Sequence, residues 1–140
     1  MILVDTGPLV ALCDARDERH REAVADLSRL SPAHFRTCEA VLVEACFHLP
    51  HRFQRERLRA LLTELDIESV STDDPDFRDG VLAWLLKFGD HEPDWADGCL
   101  AVLAEWEPRL KVWTYDRGFR TIWRRPDGKP MPMAVRASRR

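Results

Sequence analysis

Five carboxylates stand where this chain could do chemistry. They are Asp5 at the end of "MILVD", Glu44 inside "CEAVLVEACFHL", Asp94 and Asp97 in "HEPDWADGCLAVLAEW", and Asp116 at the end of "LKVWTYD". Each has an ordinary account. Asp94 has the side chain of a helix N-cap, and Asp97 takes the second place of a capping box near the positive end of the helix dipole. Asp5 and Asp116 can cap the turns after their strands, and Glu44 can face water. Glu44 lies between Val43 and Ala45, however, a poor place for a charge unless something on the buried side needs it. Brought together, two such charges ~4 Å apart repel by about 4 kcal/mol at an effective dielectric of ~20. A divalent cation removes that cost, and carboxylates without Cys or His partners suit Mg²⁺ or Mn²⁺ better than Zn²⁺.

The elements that must position these acids are readable in the chain. "ILVD" is a short apolar run stopped by "TGP", which predicts a buried first strand and then a helix opening near Pro8. "HREAVADLSRL" has helical spacing and ends at "SP". "HFRT" predicts a second strand, "CEAVLVEACFHL" a helix carrying Glu39 and Glu44, "RERLRALLTEL" an amphipathic helix and "IESVST" a third strand. "DPDFRDGVLAWLLKFG" has helix start and stop signals in place. The helix beginning at Asp94 leads to a fourth strand, "LKVWTYD", then a short helix, "RGFRTIWR". "MPMAV", with Pro130 just before it and Pro132 within it, suits an edge strand better than a central one, and "RASRR" reads as a mobile tail. Strands alternating with helices predict an α/β fold with a parallel sheet of four to five strands, helices on both faces and ligands outside the C-terminal strand ends. Asp5 and Asp116 would then emerge on one edge.

With 140 residues, 45% hydrophobic and 32% charged, the chain fits one globular domain: residues 1–125 as its body and 126–140 as an edge strand and basic tail of the same domain. The first apolar stretch is broken by Asp5 and Asp14 and lacks a basic segment before it. Neither a signal peptide nor a membrane span fits, so a cytoplasmic location is expected. Cys13, Cys38, Cys46 and Cys99 are too scattered for a disulfide framework. Cys46, His48 and His51 could hold zinc by type, but Pro50 interrupts the spacing and no second ligand pair is evident. The net charge of −3 divides into −11 over residues 1–108 and +8 over residues 109–140. That split suits a nucleic-acid partner, or a basic segment docking on the protein's own acidic surface.

"MILVDTGPLVALCDARDERHREA", "AVLVEACFHL", "DWADGCLAVLAE" and "VWTYDRGF" match, in order and spacing, the segments that mark the PIN-domain family of ribonucleases. The chain most resembles its VapC-type toxins of bacterial toxin–antitoxin pairs, over residues 2 to about 120. The resemblance implies a PIN-like fold and a metal-binding, catalytic quartet of Asp5, Glu44, Asp97 and Asp116. Asp94 matches a position often acidic in the family and is an auxiliary ligand or a helix cap only. Thr6 and Thr114 match neighbouring polar positions, and Glu39 matches a family feature of unassigned role. The implied activity is Mg²⁺- or Mn²⁺-dependent hydrolysis of RNA, by the toxin of a type II toxin–antitoxin system. The implied partners are an RNA substrate, a cognate antitoxin and a second copy of the chain as homodimer, with no membrane. Arg117 and Arg120, beside Asp116, are candidate phosphate contacts, and equally ordinary solvated arginines.

Three rivals differ in their residues. A phosphatase of the haloacid dehalogenase type needs a second Asp two residues after the first, where this chain has Gly7. A phospho-accepting receiver domain wants paired acids before the first helix and a lysine after a late strand. A non-catalytic PIN domain binding RNA or a protein partner is the remaining alternative, and an acid at every quartet position argues against it.

Overall fold

β1 (Ile2–Val4) is three apolar residues, all buried, as a strand covered on both faces requires. Asp5 stops it and caps α1 (Thr6–Cys13). The chain continues through α2 (His20–Leu30), β2 (Phe35–Cys38), α3 (Glu39–His48), α4 (Arg52–Glu64), β3 (Glu68–Val70) and α5 (Pro75–Lys87). A 3-10 turn at Gly89–His91, α6 (Trp95–Trp106), β4 (Lys111–Trp113) and the single-turn α7 (Gly118–Thr121) complete it. This computed structural model describes residues 1–137. The tail expected at "RASRR" runs into residues 138–140, which lie outside the described residues.

The four strands pair in parallel in the order β3-β2-β1-β4. Right-handed crossovers then put the helices between β1 and β3 on one face and those between β3 and β4 on the other. Strand order reverses at β1, so the crevice outside the ends of β1 and β4 is the natural binding position. The expected third strand shrinks to Glu68–Val70, whose outer edge has no neighbouring strand among the described residues. "MPMAV" does not become a fifth strand. Pro132, and Pro130 just ahead of the segment, lack the N–H a ladder needs, and a single parallel bridge remains, Val112 with Met133, in which the Val112 N–H donates to the Pro132 carbonyl and the Ala134 N–H to the Val112 carbonyl. It does lie at the β4 edge.

α6 is the central helix. Ala96 and the unbroken run Gly98–Ala104 are buried, so the helix is apolar nearly all round. It crosses α5 closely at Gly98, where a Cβ would lie 2.9 Å from Val81 Cγ1 and 3.3 Å from Trp84 Cε3. Trp84 also packs tilted against Phe88 and edge-on against Trp123, and its indole N–H donates to the Arg124 carbonyl at 2.7 Å. This aromatic cluster clamps the C-terminal segment to the helical layer.

Because only a missing side chain lets α5 and α6 approach, Gly98→Ala should destabilise the protein by roughly 1–3 kcal/mol through overpacking. Gly80→Ala is the contrasting change. Its Cβ would meet Val102 methyls at an ordinary 3.7 and 3.8 Å, and alanine is favoured in a helix interior by up to about 1 kcal/mol. Urea unfolding should therefore move the two midpoints in opposite directions at unchanged m.

Candidate functional site

β1 and β4 run side by side in register, Val4 opposite Trp113, and their ends deliver Asp5 and Asp116 to one place. The Asp5 backbone N–H donates to the Trp113 carbonyl at 3.0 Å. Its carboxylate is buried and accepts twice, from the Thr6 N–H at 2.7 Å and from the Thr114 hydroxyl at 2.6 Å. The same Thr114 oxygen accepts the Asp116 N–H at 3.0 Å, and Asp116 in turn accepts the Gly118 N–H at 2.8 Å. Thr114 thus fixes one carboxylate and the backbone of another.

α3 follows β2 without a break and carries Glu44, half-buried, to the same edge. There the Thr6 hydroxyl donates to its Oε2 at 3.0 Å. Asp94 and Asp97 form the expected capping box at the start of α6. The Asp97 N–H donates to Asp94 at 2.8 Å, and the Asp94 N–H to Asp97 at 3.1 Å. Glu92, in the left-handed region at φ 50°, turns the chain back into this helix start.

Asp5, Glu44, Asp94, Asp97 and Asp116 line a single cavity of about 400 Å³, together with Thr6. Thr114 lies behind it as the support of Asp5. The concentration of acids shows in their protonation. Burial first, then the charges of Glu44 and Asp116, push the Asp5 carboxyl up to about 6 against the pull of the Thr114 and Thr6 hydrogen bonds. Burial, the neighbouring Asp94 charge, and Asp5 and Asp116 push Asp97 up to about 8, opposed by the hydrogen bond from the Asp94 backbone. Both carboxyls are thus raised above the ordinary carboxylate range, as acids gathered without a positive partner are.

The donor set fits a hard divalent cation. It consists of carboxylate and hydroxyl oxygens, and it carries the repulsion such an ion would relieve. Among the described residues no three Asp, Glu, His or Cys side chains close on one point, the carboxylates instead lining the wall in their own hydrogen bonds. Cys46, His48 and His51 form no zinc group. The His51 ring stacks on Phe53, and His48 lies edge-on to Phe47 while its exposed side chain reaches the wall of the acidic cavity.

Sequence reasoning missed part of the wall. Arg19, Asp17 and Glu18 from the turn between α1 and α2 line the cavity, as does Tyr115. Nothing in "DARDER" beyond its polar, turn-like composition points there. Arg117 and Arg120 are not among the residues lining the acidic cavity. They line a smaller one beside it, and Arg120 donates to the Val135 carbonyl. Glu39 lies at an apolar groove of about 560 Å³ on the other flank, with exposed Val43, Phe47 and Trp95.

No curated protein matches the chain in sequence. Among solved structures, the crystal structure of Mycobacterium tuberculosis VapC20, described as a sarcin-ricin loop cleaving toxin, is similar. Its TM-score is 0.67 at 23% identity, over 84% of this chain and 91% of that one. This likeness is one of fold. The sequence pattern of the PIN domain matches residues 2–123, a span that contains all five acids and every strand of the sheet. The chain belongs to the PIN domain family.

Proposed function

We propose that this protein is a metal-dependent endoribonuclease that hydrolyses RNA phosphodiester bonds as the toxin of a type II toxin–antitoxin pair in the cytoplasm. One observation carries the reading. Acids from four separate elements, Asp5, Glu44, Asp97 and Asp116, line one cavity at the point where the strand order reverses. Folding tolerates such repulsion where function needs it. Among the described residues no helix is long and apolar enough to cross a membrane.

In this reading the quartet holds one or two Mg²⁺ or Mn²⁺ ions, with Asp94 as the cap that aims Asp97. When bound, such ions polarise a phosphate oxygen, lower the pKa of water and offset charge on the leaving oxygen. The chain's own groups prepare the site. Thr114 and the Thr6 N–H direct both Asp5 oxygens, the Thr6 hydroxyl directs Glu44, and the α6 N-terminus holds Asp97 near its dipole. No histidine base is required. The exposed Val43, Phe47 and Trp95 beside the cavity offer apolar surface for a protein partner, an antitoxin or a second copy of the chain.

Purified protein should cleave RNA with Mg²⁺ or Mn²⁺ and stop in EDTA. Asp5→Asn and Asp97→Asn should each abolish cleavage while the circular dichroism stays that of a folded chain. Cleavage at the parent rate by both variants defeats this site, and RNA binding without any cleavage favours the non-catalytic alternative. Thr114→Val, which removes the hydroxyl behind Asp5, should cost roughly 10–100-fold in activity or metal affinity.

Stability should follow the same charges. Asp5 and Asp97 bind protons more tightly folded than unfolded, where the ordinary value is 3.8. Their contribution is therefore greatest at low pH and is lost as pH rises through about 6 for Asp5 and about 8 for Asp97. In EDTA, Tm should fall between pH 5 and pH 8, less steeply for Asp97→Asn. Mn²⁺ should raise it more at pH 8, where the carboxylates are free to bind. A Tm at pH 8 indifferent to Mn²⁺ counts against the metal centre.

A further inference from the structure

The excess of arginine in the last quarter of the chain has a counterpart beside the acidic cavity. A smaller cavity of about 90 Å³ is lined by Arg19, Arg117, Arg120 and Arg136 against one acid, Glu22. The two cavities share a wall made of Arg19 and Tyr115. Opposite charges thus adjoin across one pair of side chains.

That wall is held in place. The Arg19 guanidinium lies 5.1 Å from the centre of the Tyr115 ring and donates to Glu22 Oε2 at 2.9 Å. The Tyr115 hydroxyl donates to buried Asp26 at 2.9 Å, and Arg29 pairs with the same carboxylate. Arg120 donates to the Val135 carbonyl, which brings the C-terminal segment and its Arg136 over the cavity. Arg117 is exposed, and its side chain has no hydrogen bond or ion pair among the described residues.

Four guanidinium groups against one carboxylate leave a surplus that a phosphate satisfies, since planar donor forks match its oxygens. The acidic cavity alone repels a polyanion, so a strand crossing it needs positive contacts close by. We infer that the arginine cavity seats the RNA phosphate next to the scissile one, with Arg19 as the positioning residue between the two sites. This rests on the ribonuclease reading. It extends the phosphate contacts read from Arg117 and Arg120 to a four-arginine subsite assembled from three parts of the chain.

The test uses the full chain with Arg117→Gln, Arg136→Gln and Arg19→Gln, and Lys111→Gln as a charge control at the opposite, N-terminal edge of the sheet. Binding of a labelled single-stranded RNA is read on the non-cleaving Asp5→Asn background by fluorescence anisotropy across salt. Each of the three arginine changes should flatten the slope of log K against log[salt] by about 0.7, and Lys111→Gln should leave it alone. In the active protein, Arg117→Gln and Arg136→Gln should raise KM on the order of tenfold with kcat nearly kept. Once the cleaved bond is mapped, a neutral methylphosphonate at the adjacent linkage should cost the parent a similar factor and add little in Arg117→Gln. Parent-like slope and KM in both Arg117→Gln and Arg136→Gln overturn the subsite while leaving the nuclease intact. So does an unchanged RNA slope accompanied by weakened binding of poly-glutamate, which would mark a site for an acidic peptide. A parent protein that neither binds nor cleaves RNA overturns the ribonuclease reading and the subsite together.

Discussion

The hydrogen bond from Thr114 to Asp5 joins the ends of the two strands on which the site is built. A carboxylate taken out of water costs several kcal/mol unless its oxygens are satisfied, and here one oxygen takes the Thr6 N–H and the other the Thr114 hydroxyl. The same hydroxyl oxygen then accepts the Asp116 N–H. One small side chain thereby sets the position of Asp5 and the path of the backbone to Asp116. The parallel β1–β4 register makes this possible, because it puts Asp5 beside the residues that follow Trp113. Glu44 joins through Thr6, and Asp97 through a helix start that needs Asp94. What looks like five separate acids is a group held by hydroxyls and backbone N–H groups, with repulsion left over.

That leftover repulsion explains the arrangement of charge around the site. In the proposed reading, acids neutralised by nearby arginines would have no free charge left for a cation. Arg19 lines the cavity but is committed to Glu22 and to the Tyr115 ring, and Arg120 is committed to the Val135 carbonyl. Basic side chains are thus close by, yet not one of them is ion-paired with a quartet acid among the described residues. Arg117, Arg120 and Arg136, from the +8 segment, line the neighbouring cavity instead.

How much of this could be read in the sequence depends on how local each feature is. The α6 capping box was legible because Asp94 and Asp97 stand three residues apart ahead of an apolar run, and spacing alone decides such a motif. Asp5 and Asp116 were legible as strand-end acids because short apolar runs stop at or just before them. Their strand-end positions implied a shared edge for Asp5 and Asp116, which the helix start at Asp94 and Asp97 would approach, whereas the family resemblance selected Glu44 over Glu39 in the same segment. Arg19 was not legible. Its place depends on how the irregular Asp14–Arg19 turn folds back over Tyr115, which no period or cap records. "MPMAV" misled for a related reason: proline suits an edge strand, but Pro132 and the preceding Pro130 also remove donors, and one parallel bridge to β4 remains. The Trp84–Trp123 contact behind α6 is likewise tertiary, joining residues far apart in the chain.

The segment Trp113–Asp116 shows how strand geometry distributes these roles. Successive side chains of an extended chain point to opposite sides. Thr114 and Asp116 belong to the acidic group, one bonding Asp5 and the other lining the cavity. Trp113 and Tyr115 take the alternate parity, and the Trp113 indole N–H donates to the Tyr115 hydroxyl at 3.3 Å. Trp113 fills the core, while Tyr115 reaches Asp26 and carries Arg19 on its ring. Four consecutive residues therefore supply a core anchor, a carboxylate support, the wall between two cavities and an acid of the quartet. A register shift of one residue would exchange the two sets. It would take the Thr114 hydroxyl away from Asp5, so the pairing of β4 with β1 decides the stability of the buried acid.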